Sequence, residues 1–288
     1  MWDAETVNEK KQKCAKHYET TAPSDGKPKS KTATHKVTSD SPHLYKLNRM
    51  ETNLIKCGDA LQELKQIPDN TINTVITSPP YNKKGIQNGK TQNSNQIWQK
   101  HNIDYNEYHD NMPENEYQNW IIEVINELHR VITPDGSIFF NHKPRRHNNQ
   151  ARLPTEFIHK TNANIYQLII WNRKNSPNIR KDHLLPNTEH IYWLTKKKPK
   201  TFRGNVDPKY LGEIWDISPQ RQTIHPAPFP AQLVENCVLL TTQPDDIVLD
   251  PFNGIGTTTT TAHKLGRKYI GYDIDEKYIA IAKESLAR

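Results

Sequence analysis

The sequence has little of what a membrane-bound or exported protein needs. No apolar run approaches the roughly 18 residues that a membrane span requires, and Met1 to Lys16 lack the apolar core of a secretion signal. Cysteine is scarce: Cys14, Cys57 and Cys237 lie far apart, with no C-x-x-C pair. That spacing excludes a disulfide framework and a cysteine zinc site, and it fits a reducing cytosol. Histidine is better supplied, yet His142, His147, His183 and His190 follow no zinc spacing, so no metal is expected. Internal repeats are missing too. A soluble, cytoplasmic protein is the expectation. The mean hydropathy of −0.89 is low for a globular enzyme, so part of the 288 residues should carry little core.

The charge that is present leans basic. Lys and Arg number 39 against 32 Asp and Glu, a net +7, which suits a nucleic-acid partner better than an acidic surface would. Nine Lys and one Arg against six acids lie within the first 50 residues, which are rich in Lys, Thr, Ser and Pro and have no sustained apolar period. Such a stretch cannot offset its ordering entropy by burial. Residues 1–50 therefore read as a basic, disordered tail, either a solvated extension or an arm that touches phosphates.

From residue 51 the pattern becomes that of a folded domain. A short strand over Asn53–Cys57 ends at Gly58-Asp59, and Leu61, Leu64 and Ile67 mark a helical face. The β-branched run Thr71–Thr77 reads as a buried strand, ended by Ser78-Pro79-Pro80-Tyr81, because neither proline can donate to a ladder. Residues 83–112 form a long polar loop crowded with Asn and Gln. A helix follows with Tyr117, Ile121, Val124, Leu128 and Val131 on one face, and Pro134-Asp135-Gly136 turns it into a strand over Ser137–Phe140. Strands are expected at Tyr166–Trp171 and His190–Thr195, among basic, turn-rich segments such as His142–His147. The chain closes with a helix over Pro230–Thr242, a strand over Asp246–Leu249, a helix over Thr257–Leu265, a strand over Lys268–Tyr272 and a last helix. Strands alternating with helices argue for a three-layer α/β domain around a mostly parallel sheet.

Two turns carry chemistry. Near the C-terminus, Asp250-Pro251-Phe252-Asn253-Gly254-Ile255-Gly256 joins a strand to the helix opened by Thr257, and Asp273 ends the next strand. Strand, glycine turn, helix, strand and terminal acid is the layout of a nucleotide-binding βαβ unit, in which the acid grips ribose hydroxyls about twenty residues on. The turn is neither G-x-G-x-x-G nor a phosphate loop. Asp250 would repel a pyrophosphate and suits a ligand with an ammonium group, such as the amino-acid end of S-adenosylmethionine. Glycines alone would need no ligand; with both acids beside them, a bare structural turn is the weaker reading.

In the other turn, two prolines stiffen the backbone so that the Ser78 hydroxyl and the Pro79 carbonyl can accept hydrogen bonds at one spot, while Tyr81 offers a ring for stacking. Two acceptors beside an aromatic face form a receptor for an exocyclic amino group.

Together, IVITSPPYN-like and VLDPFNGIGTT segments, here Val75–Asn82 and Val248–Thr258, closely resemble the amino-group DNA methyltransferases of cytosine N4 and adenine N6. The order, with the catalytic turn first, resembles their β-type permuted arrangement, and further likenesses run from about Leu54 to Arg288. The resemblance implies a Rossmann-like, S-adenosylmethionine-dependent methyltransferase fold with circularly permuted motif order over residues 51–288. It implies that Asp250, Phe252, Gly254, Gly256 and Thr257 line the methionine end of the cofactor, that Asp273 holds its ribose, that Asp59 contacts its adenine region, and that the segment from His225 covers the methionyl group. Ser78, Pro79, Pro80 and Tyr81 would form the target-base site. Double-stranded DNA would be the partner, met by residues 83–112 and 141–221, where Arg145, Arg146, Arg173 and Arg180 can reach phosphate or guanine. A cognate restriction endonuclease could share the recognition site.

Ser78 at the head of the turn favours cytosine N4 by resemblance, with adenine N6 as the alternative and a catalytically inactive DNA-binding protein of the same fold as the second. Cytosine carbon-5 methylation would need a Pro-Cys nucleophile, and none of the three cysteines follows a proline.

Overall fold

The structure, a computed structural model, describes residues 50–82, 112–147, 150–174, 184–219 and 230–287. In chain order the strands are Leu54–Cys57 (β1), Ile72–Thr77 (β2), Ile132–His142 (β3), Arg145–His147 (β4), Gln150–Arg152 (β5), Asn164–Asn172 (β6), Thr188–Thr195 (β7), Ile214–Asp216 (β8), Ile247–Asp250 (β9) and Lys268–Asp273 (β10). The α-helices are Ala60–Leu64 (α1), Glu114–Val131 (α2), Thr155–Ile158 (α3), Ala231–Thr241 (α4), Thr257–Lys264 (α5) and Glu276–Leu286 (α6).

Eight strands make one sheet in the order β1-β10-β9-β2-β3-β7-β6-β8. The first five in that order run parallel, and β7 lies antiparallel to both β3 and β6. Successive residues feed two separate cores. Val75, Ile138, Phe140, Leu249 and Ile270 pack with α2, while Ile76, Phe139, Val248 and Tyr269 pack with α4, α5 and α6. A sheet buried on both faces is why these strands read as near-continuous apolar runs, and the result is the expected three-layer α/β fold. The unit made by β9, α5 and β10 comes last in the chain yet lies inside the sheet, which is the permuted order.

β9 and β2 are neighbours at which the chain changes direction. From β2 it leaves through α2 to β3, and from β9 through α5 to β10, on opposite faces of the sheet. Such a switch point opens a crevice outside the carboxyl ends of the two strands. Asp250 ends β9 and Ser78 follows β2, so the fold delivers both turns to one place.

Two expectations needed correction. The Pro134-Asp135-Gly136 turn lies inside β3, which starts at Ile132; the pairing with β2 shifts there, and Pro134 and Asp135 bulge into solvent. A bulge lets a strand carry a turn-like tripeptide without ending. The expected turn-rich stretch His142–His147 instead completes β3 and then pairs, as β4, with β5. Among the described residues no helix is long and apolar enough to cross a membrane.

Candidate functional site

The two turns are tied together by a buried side-chain bond. Thr77, the last residue of β2, donates its hydroxyl to Asp250 Oδ1 at 2.8 Å. The Phe252 amide donates to the same oxygen at 3.1 Å. Asp250 is 2% exposed, and burial, which penalises the charged form, pushes its pKa up to about 6, against hydrogen bonds from Thr258, Thr77 and the Phe252 amide that pull it down. A cation beside this carboxylate would restore its charge.

The backbone after Asp250 is wound tightly. Gly254 and Gly256 have φ of +50° and +85°, the left-handed region that glycine enters at least cost. At Gly256 a Cβ would lie 2.7 Å from the Ala282 Cβ of α6 and 3.1 Å from its Cα, so α6 seals the turn from behind. Asp273 fixes the turn from the neighbouring strand: its carboxylate accepts from the Gly254 amide at 2.8 Å and the Asp275 amide at 3.0 Å. Burial holds Asp273 above the usual carboxylate range. Thr257 opens α5, and Phe252 lies half-buried with its ring 5.7 Å from Trp120 of α2. Asp59 is engaged as the cap of α1, its Oδ1 accepting from the Gln62 amide at 2.9 Å. It stands beside the glycine-turn strands, because Gly58 donates to the Asp273 carbonyl at 2.9 Å. His225 lies outside the described residues.

On the other side of Asp250, the Ser78-Pro79-Pro80-Tyr81 turn is held by three elements. Tyr117 of α2 donates to the Pro80 carbonyl at 2.9 Å, whereas among the described residues no donor reaches the Pro79 carbonyl. The Ser78 and Tyr81 hydroxyls are 2.8 Å apart. From β3, Asn141 Nδ2 donates to the Tyr81 hydroxyl at 2.7 Å and to Glu189 Oε2 at 2.9 Å. From β7, Glu189 Oε2 accepts the Tyr81 hydroxyl at 3.3 Å, while Arg173 and Lys143 meet its other oxygen at 2.9 and 3.2 Å. His142 covers one face of the Tyr81 ring with centroids 4.5 Å apart. Burial, then the charge of Glu189, raises the Tyr81 phenol well above its ordinary value, so it is neutral. Asn82 closes the turn at φ +52° and bonds to the Met112 carbonyl at 2.9 Å, tying it to the entry of α2.

The fold thus gathers Ser78, Pro79, Pro80 and Tyr81 on one side of Asp250 and the glycine turn with Asp273 on the other. Sequence reasoning gave no site role to Tyr117, Asn141, His142 or Glu189. Their signal was faint: Asn141 and Glu189 come together only because β7 pairs antiparallel with β3, with Asn141 opposite Ile191.

The arginines expected to meet DNA divide. Arg145 is buried against Glu114 at 2.7 Å, with its guanidinium 4.8 Å from the Tyr117 ring centre, so it is a packing residue. Arg173 is committed to Glu189, and Arg146 is exposed. Arg180 and residues 83–111 lie outside the described residues. Among the described residues no group of three or more His, Cys, Asp or Glu could hold a metal ion.

A family profile described as DNA methylase, of the N6/N4 type, matches residues 72–284. The Type II methyltransferase M.BglII of Bacillus subtilis is 30% identical over 274 residues, which cover 83% of this chain and 70% of that relative. The DNA adenine methyltransferase YhdJ of Escherichia coli (strain K12) is 28% identical over 270 residues, covering 82% and 83%. Among solved structures, the PvuII DNA methyltransferase (cytosine-N4-specific) has the same fold, with a TM-score of 0.65, 23% identity and coverage of 82% and 86%. The M1.HpyAVI–SAM complex matches with a TM-score of 0.55, 23% identity and coverage of 81% and 98%.

Proposed function

The chain belongs to the DNA methylase family, the amino-group methyltransferases of the N6/N4 type, and on that premise we propose that it methylates the exocyclic N4 amino group of cytosine in duplex DNA. The Thr77–Asp250 bond, which puts the S-P-P-Y turn against the glycine turn at the switch point of the sheet, carries the amino-group methyltransfer, and Ser78 at the head of the turn, with the likeness in fold to the cytosine-N4-specific PvuII enzyme, favours cytosine.

S-adenosyl-L-methionine is the cofactor, and when bound it supplies an electrophilic methyl group on a sulfonium sulfur. The residues present fit it. Asp250 is a buried acid held near 6 that an ammonium group would recharge, the left-handed glycines open the backbone beside it, and each Asp273 oxygen keeps a further lone pair for a ribose hydroxyl. We assign Asp250, Phe252, Gly254, Gly256 and Thr257 to the methionine end, Asp273 to the ribose and Asp59 to the adenine region; the segment from His225 would cover the methionyl group.

A cytosine amino group is a poor nucleophile because its lone pair is delocalised into the ring. The Ser78 hydroxyl and the Pro79 carbonyl would accept its two N–H bonds and favour a tetrahedral nitrogen with its lone pair free to react. Oriented acceptors stabilise the charge that grows on nitrogen, and holding the reactants in line removes much of the barrier. A duplex hides that nitrogen, so the base is flipped out and stacks on Tyr81, on the ring face away from His142. No covalent enzyme intermediate is involved.

Adenine N6 is the second reading, favoured by the likeness to the E. coli enzyme whose name is DNA adenine methyltransferase. Relatives named Type II methyltransferases also suggest a cognate restriction endonuclease. The test is to incubate the protein with unmethylated genomic DNA and S-adenosylmethionine, digest to nucleosides and identify the product by mass spectrometry. N4-methylcytosine is expected. N6-methyladenine would overturn the choice of base and keep the site.

A further inference from the structure

The hydrogen bonds behind Tyr81 form a chain that leads from Ser78 through the phenol to Glu189. A carboxylate cannot donate, so the single proton of the Tyr81 hydroxyl goes to Glu189 Oε2. The phenol oxygen then accepts, from Asn141 Nδ2 at 2.7 Å and from Ser78 at 2.8 Å. Asn141 cannot be turned round, because its oxygen would then face the Glu189 carboxylate that its nitrogen now meets at 2.9 Å. With the Tyr81 proton on Glu189, Ser78 donates to Tyr81, and its oxygen presents lone pairs to whatever enters the turn. Serine is a weak base. The same chain leads from it to a carboxylate anchored by Arg173 and Lys143.

We propose that Glu189 is a positioning residue for amino-group transfer, ordering Ser78 through Tyr81 as a pure acceptor and taking up the proton that the target nitrogen sheds. This rests on the amino-methyltransferase reading and deepens it. As the nitrogen–carbon bond forms and the carbon–sulfur bond breaks, one N–H proton passes to Ser78 Oγ, the Ser78 proton passes to the Tyr81 oxygen, and the Tyr81 proton passes to Glu189. Serine and tyrosine end as they began, and the carboxylate ends as an acid, which solvent deprotonates after the product leaves. The raised pKa of Tyr81 fits a relay that stays neutral before and after the step.

Glu189→Gln tests the chain without removing side-chain volume. A glutamine amide donates where the carboxylate accepted. Asn141 is then free to turn its oxygen towards Tyr81, and the chain no longer ends on a carboxylate that can take up a proton. The single-turnover methylation rate should fall about 100-fold, the low end for proton-transfer catalysis, with S-adenosylmethionine affinity within about twofold of wild type. Tyr81→Phe keeps the ring and removes the relay, and should fall similarly. The double variant should be no slower than the slower single one, because the substitutions break one chain.

A second measurement needs no turnover. The Tyr81 ring carbon, assigned by its loss in Tyr81→Phe, should titrate at lower pH in Glu189→Gln than in wild type. The groups facing that phenol are Ser78 from its own turn, Asn141 and His142 from β3, Tyr117 from α2 and Glu189 from β7, the last with Arg173 and Lys143 at its back. Additive losses in the double variant, or a wild-type rate in Glu189→Gln, would overturn the proposal and leave the function intact. If Glu189→Gln fails to fold, a wild-type rate in Tyr81→Phe overturns it just as well. A wild-type protein that binds the cofactor but methylates no DNA amino group would bring down the function and the relay together.

Discussion

Gly254 and Asp273, which bond to each other across the glycine turn, are 19 residues apart. Tyr81, on the other side of the same crevice, is held by Asn141 and Glu189, which lie 60 and 108 residues away. The proposed cofactor side is made of backbone amides, two left-handed glycines and acids at strand ends, all within one βαβ unit. The proposed base side is made of side chains from α2, β3 and β7 around a rigid proline turn. A local motif repeats its chemistry wherever its few residues occur. A pocket assembled from distant strands depends on the whole sheet, and its second layer can differ between proteins that share the turn.

That contrast can be broken at several points. The largest effect is expected at Asp250, where the two sides touch. Asp250→Asn should weaken S-adenosylmethionine binding by about 10- to 100-fold, the cost of losing a hydrogen bond to a charged group, as read by calorimetry. The same variant should melt no lower than wild type, because it removes a buried charge. The sign follows from the raised pKa of about 6. The folded chain binds this proton more readily than the unfolded one, so the group favours folding more as pH falls from about 6 towards 4. Cofactor affinity should move the other way and decline over the window around 6, since the ammonium needs the ionised form. Unchanged affinity in Asp250→Asn would remove the residue from the cofactor side.

Next in size is Gly256→Ala, which places a Cβ against Ala282 at a φ of +85°. A loss of about 2–3 kcal/mol in denaturant unfolding is expected from strain and clash together. A neutral result would mean that α6 does not seal the turn.

The smallest effect belongs to Arg145→Ala, which leaves Glu114 without its partner and uncovers Tyr117, the donor to the Pro80 carbonyl. A loss of about 2 kcal/mol is expected, less than for a fully buried pair because Glu114 keeps some exposure. The salt dependence of DNA binding should keep its slope. A slope smaller by about one would return Arg145 to the phosphate contacts.

The fold was legible because its strands are buried on both faces and its turns are punctuated by Pro, Gly and Asp. Tyr117, Ile121, Val124, Leu128 and Val131 of α2 are all fully buried, as their spacing required. The α5 helix forms over five consecutive threonines against their intrinsic preference, because Thr258 and Thr259 are buried and Thr259 bonds to Asn253. The reach of β3 was harder to read, since Pro134-Asp135-Gly136 looks like a chain break and is a bulge. At the site, Ser78, Tyr81, Asp250 and Asp273 stood out as motif residues. Asn141 and Glu189 did not, because nothing local marks an Asn at the end of one strand as the neighbour of an acid at the start of another. Arg145 misled for the same reason: a basic run looks solvated until its partner in α2 is known.

The separation of the two sides is best tested at Ser78. In Ser78→Ala, S-adenosylmethionine affinity by calorimetry and methyl transfer to DNA by single turnover would be measured on the same preparation. Affinity should stay within about twofold of wild type while transfer falls by about 100-fold or more, as for loss of an oriented group that stabilises the transition state. Equal loss of both would contradict the account, because Ser78 would then belong to the cofactor side.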